Sequence, residues 1–146
     1  MAGEHSLLGT WKLKSYVVTR TTGERLTPYG EKPSGYLIYS ADGRMQAIGT
    51  ANNRVASSDS TPLDKVRAVL FDTMFAYAGT YSVEDGRVIH HVDVSWNEAW
   101  TGTDQVRRFE VHGSSLTLLT QVTDAASSSE TQFVVRWDKV HNPSCP

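Results

Sequence analysis

The sequence predicts an all-β fold, a single closed antiparallel β-barrel of eight or nine strands with one amphipathic helix, and three observations carry it. Turn dipeptides recur between short apolar segments: Thr22-Gly23, Asp42-Gly43, Asp85-Gly86 and His112-Gly113. The segments between them alternate apolar and polar residues, as strands do when one face is buried and the other wet. One stretch alone changes to helical spacing.

The strands are expected near 8–19, 24–29, 34–40, 44–50, 79–84, 87–96, 103–112, 115–123 and 130–140. In the first, Trp11, Leu13, Ser15 and Val17 share a side opposite Lys12 and Lys14, so the tryptophan side faces in. Parity likewise turns Val88, His90, Val92, Val94 and Trp96 inward, with His91, Asp93 and Ser95 outward. Gln105, Arg107, Phe109 and Val111 form the next inner set, and Leu116, Leu118, Phe133, Val135 and Trp137 complete it. The helix is expected over 62–77. Thr61 supplies an N-cap, Pro62 the first helical position, and Val66, Val69, Leu70, Thr73 and Tyr77 an apolar stripe that ends before Gly79. Residues 49–60 and 124–130 read as surface loops.

A chain of 146 residues fits one domain, residues 1–146, with an ordered core of about 7–140. Its 39% apolar and 21% charged content is that of a soluble globular protein, and no apolar stretch approaches the roughly 20 residues that span a bilayer. Net charge is −2 and the basic residues are scattered, which argues against nucleic acid and other polyanions as partners. The first eleven residues lack a basic region followed by an apolar run, so no secretory leader is expected and the expected compartment is the cytoplasm. The single cysteine, Cys145, lies in a Pro-flanked tail and reads as an incidental thiol.

A barrel of about eight strands is wide enough to be filled by side chains or to hold one small ligand. His90, Gln105 and Arg107 favour the second outcome, because such groups are costly to bury unless something satisfies them. His90 and Arg107 are the candidate catalytic residues. An imidazole in an apolar cavity can exchange a proton or hold a ligand hydroxyl, although it can equally be a satisfied core histidine. A guanidinium keeps its charge and needs a carboxylate, carbonyls or an anionic ligand. Tyr36, Tyr39, Tyr77 and Tyr81 offer hydroxyls and flat apolar surface, Trp96 lies with Trp100 at a loop expected to rim one mouth, and Met45, Gln105 and Phe109 complete the candidate ligand-binding set. No metal site is expected, since His91 and Asp93 are two ligands where zinc needs three or four. Nothing singles out haem, and no nucleophile motif or phosphate loop appears, so no cofactor is expected.

Leu8-Gly9-Thr10-Trp11-Lys12-Leu13 resembles the G-x-W opening of lipocalins and related calycin barrels. With Gly35-Tyr36-Leu37-Ile38-Tyr39, Asp42-Gly43-Arg44-Met45, Tyr77-Ala78-Gly79-Thr80-Tyr81, His90-His91-Val92, Gly102, Gln105-Val106-Arg107 and Val135-Arg136-Trp137, the chain resembles the small bacterial and fungal lipocalin-like domain family over about residues 7–140. The resemblance implies a calycin-type barrel that handles small molecules. It also implies that Trp11 closes one end beneath a basic side chain, Arg136 or Arg108, with Arg107 on Trp11 as the structural alternative to an anion site. Some lipocalin-like barrels of natural-product pathways act as cofactor-free cyclases, isomerases or dehydratases, so secondary metabolism enters as an implied setting.

Two functions follow as expectations. The first is a binding barrel with a hydrophobic cavity for a small apolar or aromatic molecule bearing a polar handle. The second is a cofactor-independent cyclase, isomerase or dehydratase acting on a polyketide-like intermediate in the same cavity. A filled barrel that self-associates, for instance as a homodimer, is the structural alternative.

Overall fold

In the computed structural model, which describes residues 3–56, 62–124, 126 and 129–141, the alternating segments pair with their chain neighbours and the sheet closes on itself. The strands are β1 (Gly9–Arg20), β2 (Arg25–Leu26), β3 (Ser34–Tyr39), β4 (Arg44–Thr50), β5 (Met74–Glu84), β6 (Arg87–Ser95), β7 (Asp104–His112), β8 (Ser115–Asp124) and β9 (Ser129–Lys139). All pairings are antiparallel, and the β1–β9 seam runs from Trp11↔Lys139 to Arg20↔Thr131. Eight strands make the barrel, while β2 pairs only with Val18 and Thr19 of β1 and stands as an extra strand beside it. Among the described residues no helix is long and apolar enough to cross a membrane.

The antiparallel order gives the barrel two unlike ends. The hairpin turns after β3, β5 and β7 lie at one end, the base, where the 3₁₀ turn Glu4–Leu7 also enters. The long connections after β4 and β6 lie at the other, the mouth. Inner-face residues near the base are fully enclosed: Leu7, Trp11, Leu37, Met45, Val88, Leu116 and Trp137 are the centre of the apolar core. Nearer the mouth the inner face changes character, and Tyr16, Tyr77, Gln105, Arg107, Thr120 and Phe133 are only half-buried.

Two bulges correct the parity read from the sequence. In β1 the register slips between Leu13 and Ser15, so Tyr16 and Val18, paired with Val135 and Phe133 of β9, take the inner face in place of Ser15 and Val17. In β6 the pairing passes from Gly79↔Val92 to Ala78↔Val94, leaving Asp93 unmatched. Val94 is thereby turned out and is 58% exposed, against the inward position expected for it. The second bulge brings the backbone of β6 onto β5 at Gly79, where an added Cβ would stand 1.8 Å from the His91 carbonyl oxygen. Gly79 is thus a mid-strand glycine required by close backbone approach, not a helix stop.

The helix is also shorter than its stripe suggests. Helix α1 covers Leu63–Asp72, and β5 begins at Met74 instead of 79. Pro62 holds the N-cap position, and Thr61 lies outside the described residues. Of the expected stripe only Val66 is buried, while Val69 is 58% exposed. The competing interaction is the β4–β5 ladder, which continues from Met45↔Gly79 up to Thr50↔Met74 and claims residues 74–77 as strand. Arg54 closes the helix end, its guanidinium donating to the Leu70 carbonyl at 2.8 Å and to Thr73 Oγ1 at 3.2 Å. Cys145 lies outside the described residues.

Gly79→Ala tests the bulge. It is expected to cost at least about 2 kcal/mol, since a methyl group has no room against the backbone of a neighbouring strand. Urea unfolding of parent and variant measures the loss, and equal midpoints would contradict the close approach.

Candidate functional site

The base of the barrel is closed by Trp11. Its indole N–H donates to the Leu7 carbonyl oxygen at 2.8 Å, and Lys139 Nζ lies 4.6 Å from the ring centroid. The ammonium also donates to the Leu8 carbonyl. Lys139 therefore plays the basic part expected of Arg136 or Arg108, both of which are exposed on the outer face, and Arg107 is not the residue over Trp11. Gly9, at φ +120°, makes room for this arrangement, because the Lys139 side chain occupies the space of a Cβ there.

Above the base, three side chains from three strands meet at His90. Tyr39 Oη lies 2.6 Å from its Nε2, and Tyr77 Oη lies 2.9 Å from its Nδ1. The imidazole is fully enclosed and Tyr39 nearly so. Gln105 is the residue paired with His90 across the β6–β7 ladder, and Arg107 is paired with Val88. The Arg107 guanidinium turns along its own strand toward the mouth, donating to Gln105 Oε1 at 3.3 Å and to the Val106 carbonyl at 3.0 Å, while Gln105 donates to Thr103 Oγ1 at 2.8 Å. Among the described residues Arg107 has no carboxylate partner. Among the described side chains, the inner face from the base up to Thr120 and Gln105 carries no Asp or Glu.

Residues 8–140 match the model of the lipocalin-like domain family. The chain belongs to this family. Comparison with curated proteins finds no match.

The expected site residues of this lipocalin-like barrel separate by height. His90, Tyr39, Tyr77, Gln105 and Arg107 form one polar cluster between base and mouth. Met45, Phe109 and Tyr81 are buried in the apolar core, and Tyr81 donates to the Ser40 carbonyl at the base. Trp96 stands at the mouth side against Trp100, 5.3 Å between centroids, with Phe71 of α1 beyond it. Tyr36 is misplaced by the expectation. Its position alternates with the inward Leu37, so its side chain lies on the outer face beside Ile48 and is 47% exposed. Sequence reading missed Tyr16, Tyr29 and Phe75, which pack edge to face as a second aromatic group near the mouth.

Burial and charge set the proton chemistry. Desolvation first, then the charge of Arg107 and the proximity of His91, lower the pKa of His90 to about 3. Desolvation raises Tyr77 to about 12 and Tyr39 well above the phenol range, with Arg107 opposing both shifts. At neutral pH His90 is therefore a neutral relay between two neutral phenols, not a base poised near 7. With both ring nitrogens engaged by tyrosines it also has no nitrogen free to ligate a metal. Among the described residues no three His, Cys, Asp or Glu side chains gather as a metal site requires.

On the outer face, Ser82 Oγ lies 2.9 Å from His91 Nε2, whose Nδ1 is 2.8 Å from Asp104 Oδ1. This is a cross-strand polar ladder across β5, β6 and β7.

The depressed pKa of His90 sets a pH dependence. In the unfolded chain the imidazole protonates near 6.5, and in the folded chain only near 3. Between those values the unfolded state binds the extra proton, so this contribution is whole above about pH 6.5 and is lost as pH falls toward 3. Urea unfolding from pH 7.5 to 4 is expected to show a slope up to about 1.4 kcal/mol per pH unit steeper in the parent than in His90→Gln. Parallel profiles would refute it.

Proposed function

We propose that this lipocalin-like protein is a cytoplasmic binding barrel for one small, largely apolar or aromatic molecule that carries a polar group. A single observation carries the reading: Arg107 is on the inner face with its charge unmatched by any described carboxylate, held only by Gln105 and a backbone carbonyl. A guanidinium in such a place is costly unless the interior admits something that answers it. The half-buried state of Gln105 and Arg107, against the enclosed residues below them, fits an interior that is open toward the mouth. Aromatic rings near that end, Tyr16, Tyr29 and Phe75 in one group and Tyr77, Trp96 and Trp100 in the other, suit a flat apolar body.

A second reading has its own support in the hydrogen-bonded run Tyr39–His90–Tyr77 beside Arg107. In that reading the same cavity serves a cofactor-independent cyclase, isomerase or dehydratase acting on a polyketide-like intermediate. Arg107 polarises a carbonyl, a tyrosine hydroxyl delivers the proton, and His90 acts through the tyrosine it holds.

Thermal unfolding with a panel of aromatic acids, phenols and fatty acids tests the binding. A true ligand at a hundred times its Kd is expected to add about 2.7 kcal/mol, a rise in Tm of roughly 5–10 °C for a chain of this size. A flat response across the panel, with no bound mass in native mass spectrometry, would end the proposal. Once a ligand is found, lost turnover with retained affinity in Tyr77→Phe would favour the catalyst over the carrier.

A further inference from the structure

We infer that the barrel selects a planar aromatic anion, a carboxylate, phenolate or enolate, whose charged oxygen is received by two donors: the Arg107 guanidinium and the Tyr77 hydroxyl. This rests on the binding reading above and assigns the ligand's charge, its shape and the direction of one hydrogen-bond chain.

The direction follows from counting protons. A neutral imidazole has one N–H and one bare nitrogen, so one tyrosine at His90 donates to the ring and the other accepts from it. The accepting tyrosine keeps a hydroxyl proton that needs a partner elsewhere. Tyr39 is 1% exposed, packed against Tyr81 toward the base, and among the described residues has no hydrogen-bonding partner but His90. Leaving its proton without an acceptor would cost about 1–3 kcal/mol. Tyr39 therefore donates to Nε2, Nδ1–H donates to Tyr77 Oη, and the remaining proton belongs to Tyr77. That residue stands closer to the mouth, with its ring 5.3 Å from Trp100. The fully buried residue thus fixes the polarity of the chain, and the outcome is a donor, not an acceptor, presented to the interior.

The ligand's charge follows from what surrounds that donor. His90 contributes no charge, no described side chain of the inner face is a carboxylate, and the second inner cation, Lys139, is engaged at the base by Trp11 and the Leu8 carbonyl. Arg107 is then the one free cation of the upper interior among the described residues, and its field reaches Tyr16, Tyr39, Tyr77 and His90 together. A cation and a hydroxyl donor on the same wall complement an anionic oxygen, whereas an ammonium ligand would meet repulsion and no acceptor carboxylate. The planar shape follows from the ring groups near the mouth, which present faces and edges to a flat body.

Calorimetric titration of the unaltered protein with 2-naphthoate, its neutral isostere 2-naphthamide, and the flexible anion decanoate tests charge and shape separately. Naphthoate is expected to bind at least tenfold tighter than either comparator. Equal binding of naphthamide would overturn the anion assignment, and equal binding of decanoate the planar one, while both outcomes would leave the barrel a binding protein. Failure of all three to bind would count against the binding reading itself. Arg107→Gln is expected to abolish the naphthoate preference and spare naphthamide, with Arg107→Lys restoring part of it. Nitrogen-15 NMR of the His90 ring reads the chain's direction without any ligand. A protonated Nδ1 and bare Nε2 are expected, and the opposite tautomer would overturn the role given to Tyr77.

Discussion

Closure of the sheet along the β1–β9 seam is the constraint from which the rest follows. Once Trp11 to Arg20 is laddered to Lys139 to Thr131, no long strand edge is left open, and every second side chain of eight strands is committed to one enclosed space. That space must be filled or satisfied. Near the base it is filled, by Trp11, Leu37, Val88, Leu116 and Trp137, with the Trp11 indole N–H and the Lys139 ammonium finding backbone carbonyls. Toward the mouth the chain places phenols, an amide and a guanidinium on the same inner face, where aliphatic side chains would have packed at no polar cost. The division of the interior into an apolar floor and a polar middle is therefore written into the choice of inward side chains along the strands.

The strands, the inward set of β6 up to Val92 and that of β7 were legible because alternation and turn residues are local signals that tertiary structure here obeys. Both bulges were not. Lys14 and Asp93 are ordinary members of an alternating pattern, and the unmatched residue is defined only by the partner strand, which no single segment contains. Tyr16 was lost to that effect, and Tyr29 and Phe75 to others: one lies in an irregular connection, the other in a stretch whose apolar spacing suits helix and strand alike. The helix boundary shows the same competition. Its period continued to Tyr77, but a strand pairing with β4 satisfies the backbone of residues 74–77 and buries Phe75, and a further turn of exposed helix offers nothing comparable. Lys139 could not be chosen over Arg136 from the sequence, because which basic residue reaches Trp11 depends on where β9 ends against β1.

His90 was the most conspicuous residue in the sequence, and its environment changes what it can do. Enclosed between two phenols and within the field of Arg107, the ring stays neutral far below physiological pH. An anionic ligand at Arg107 would cancel one cause of that depression. Desolvation, the larger cause, would remain and would deepen as the ligand displaced water, so the ring would still be neutral in the complex. Its contribution is accordingly one of orientation. A neutral imidazole fixes which phenol donates and which accepts, and a protonated one would donate to both and leave two tyrosine protons competing for outlets in the same interior. Keeping His90 uncharged thus preserves a single free cation and a hydrogen-bond chain of one sense among the described residues, and the selectivity proposed for the barrel rests on both being present together.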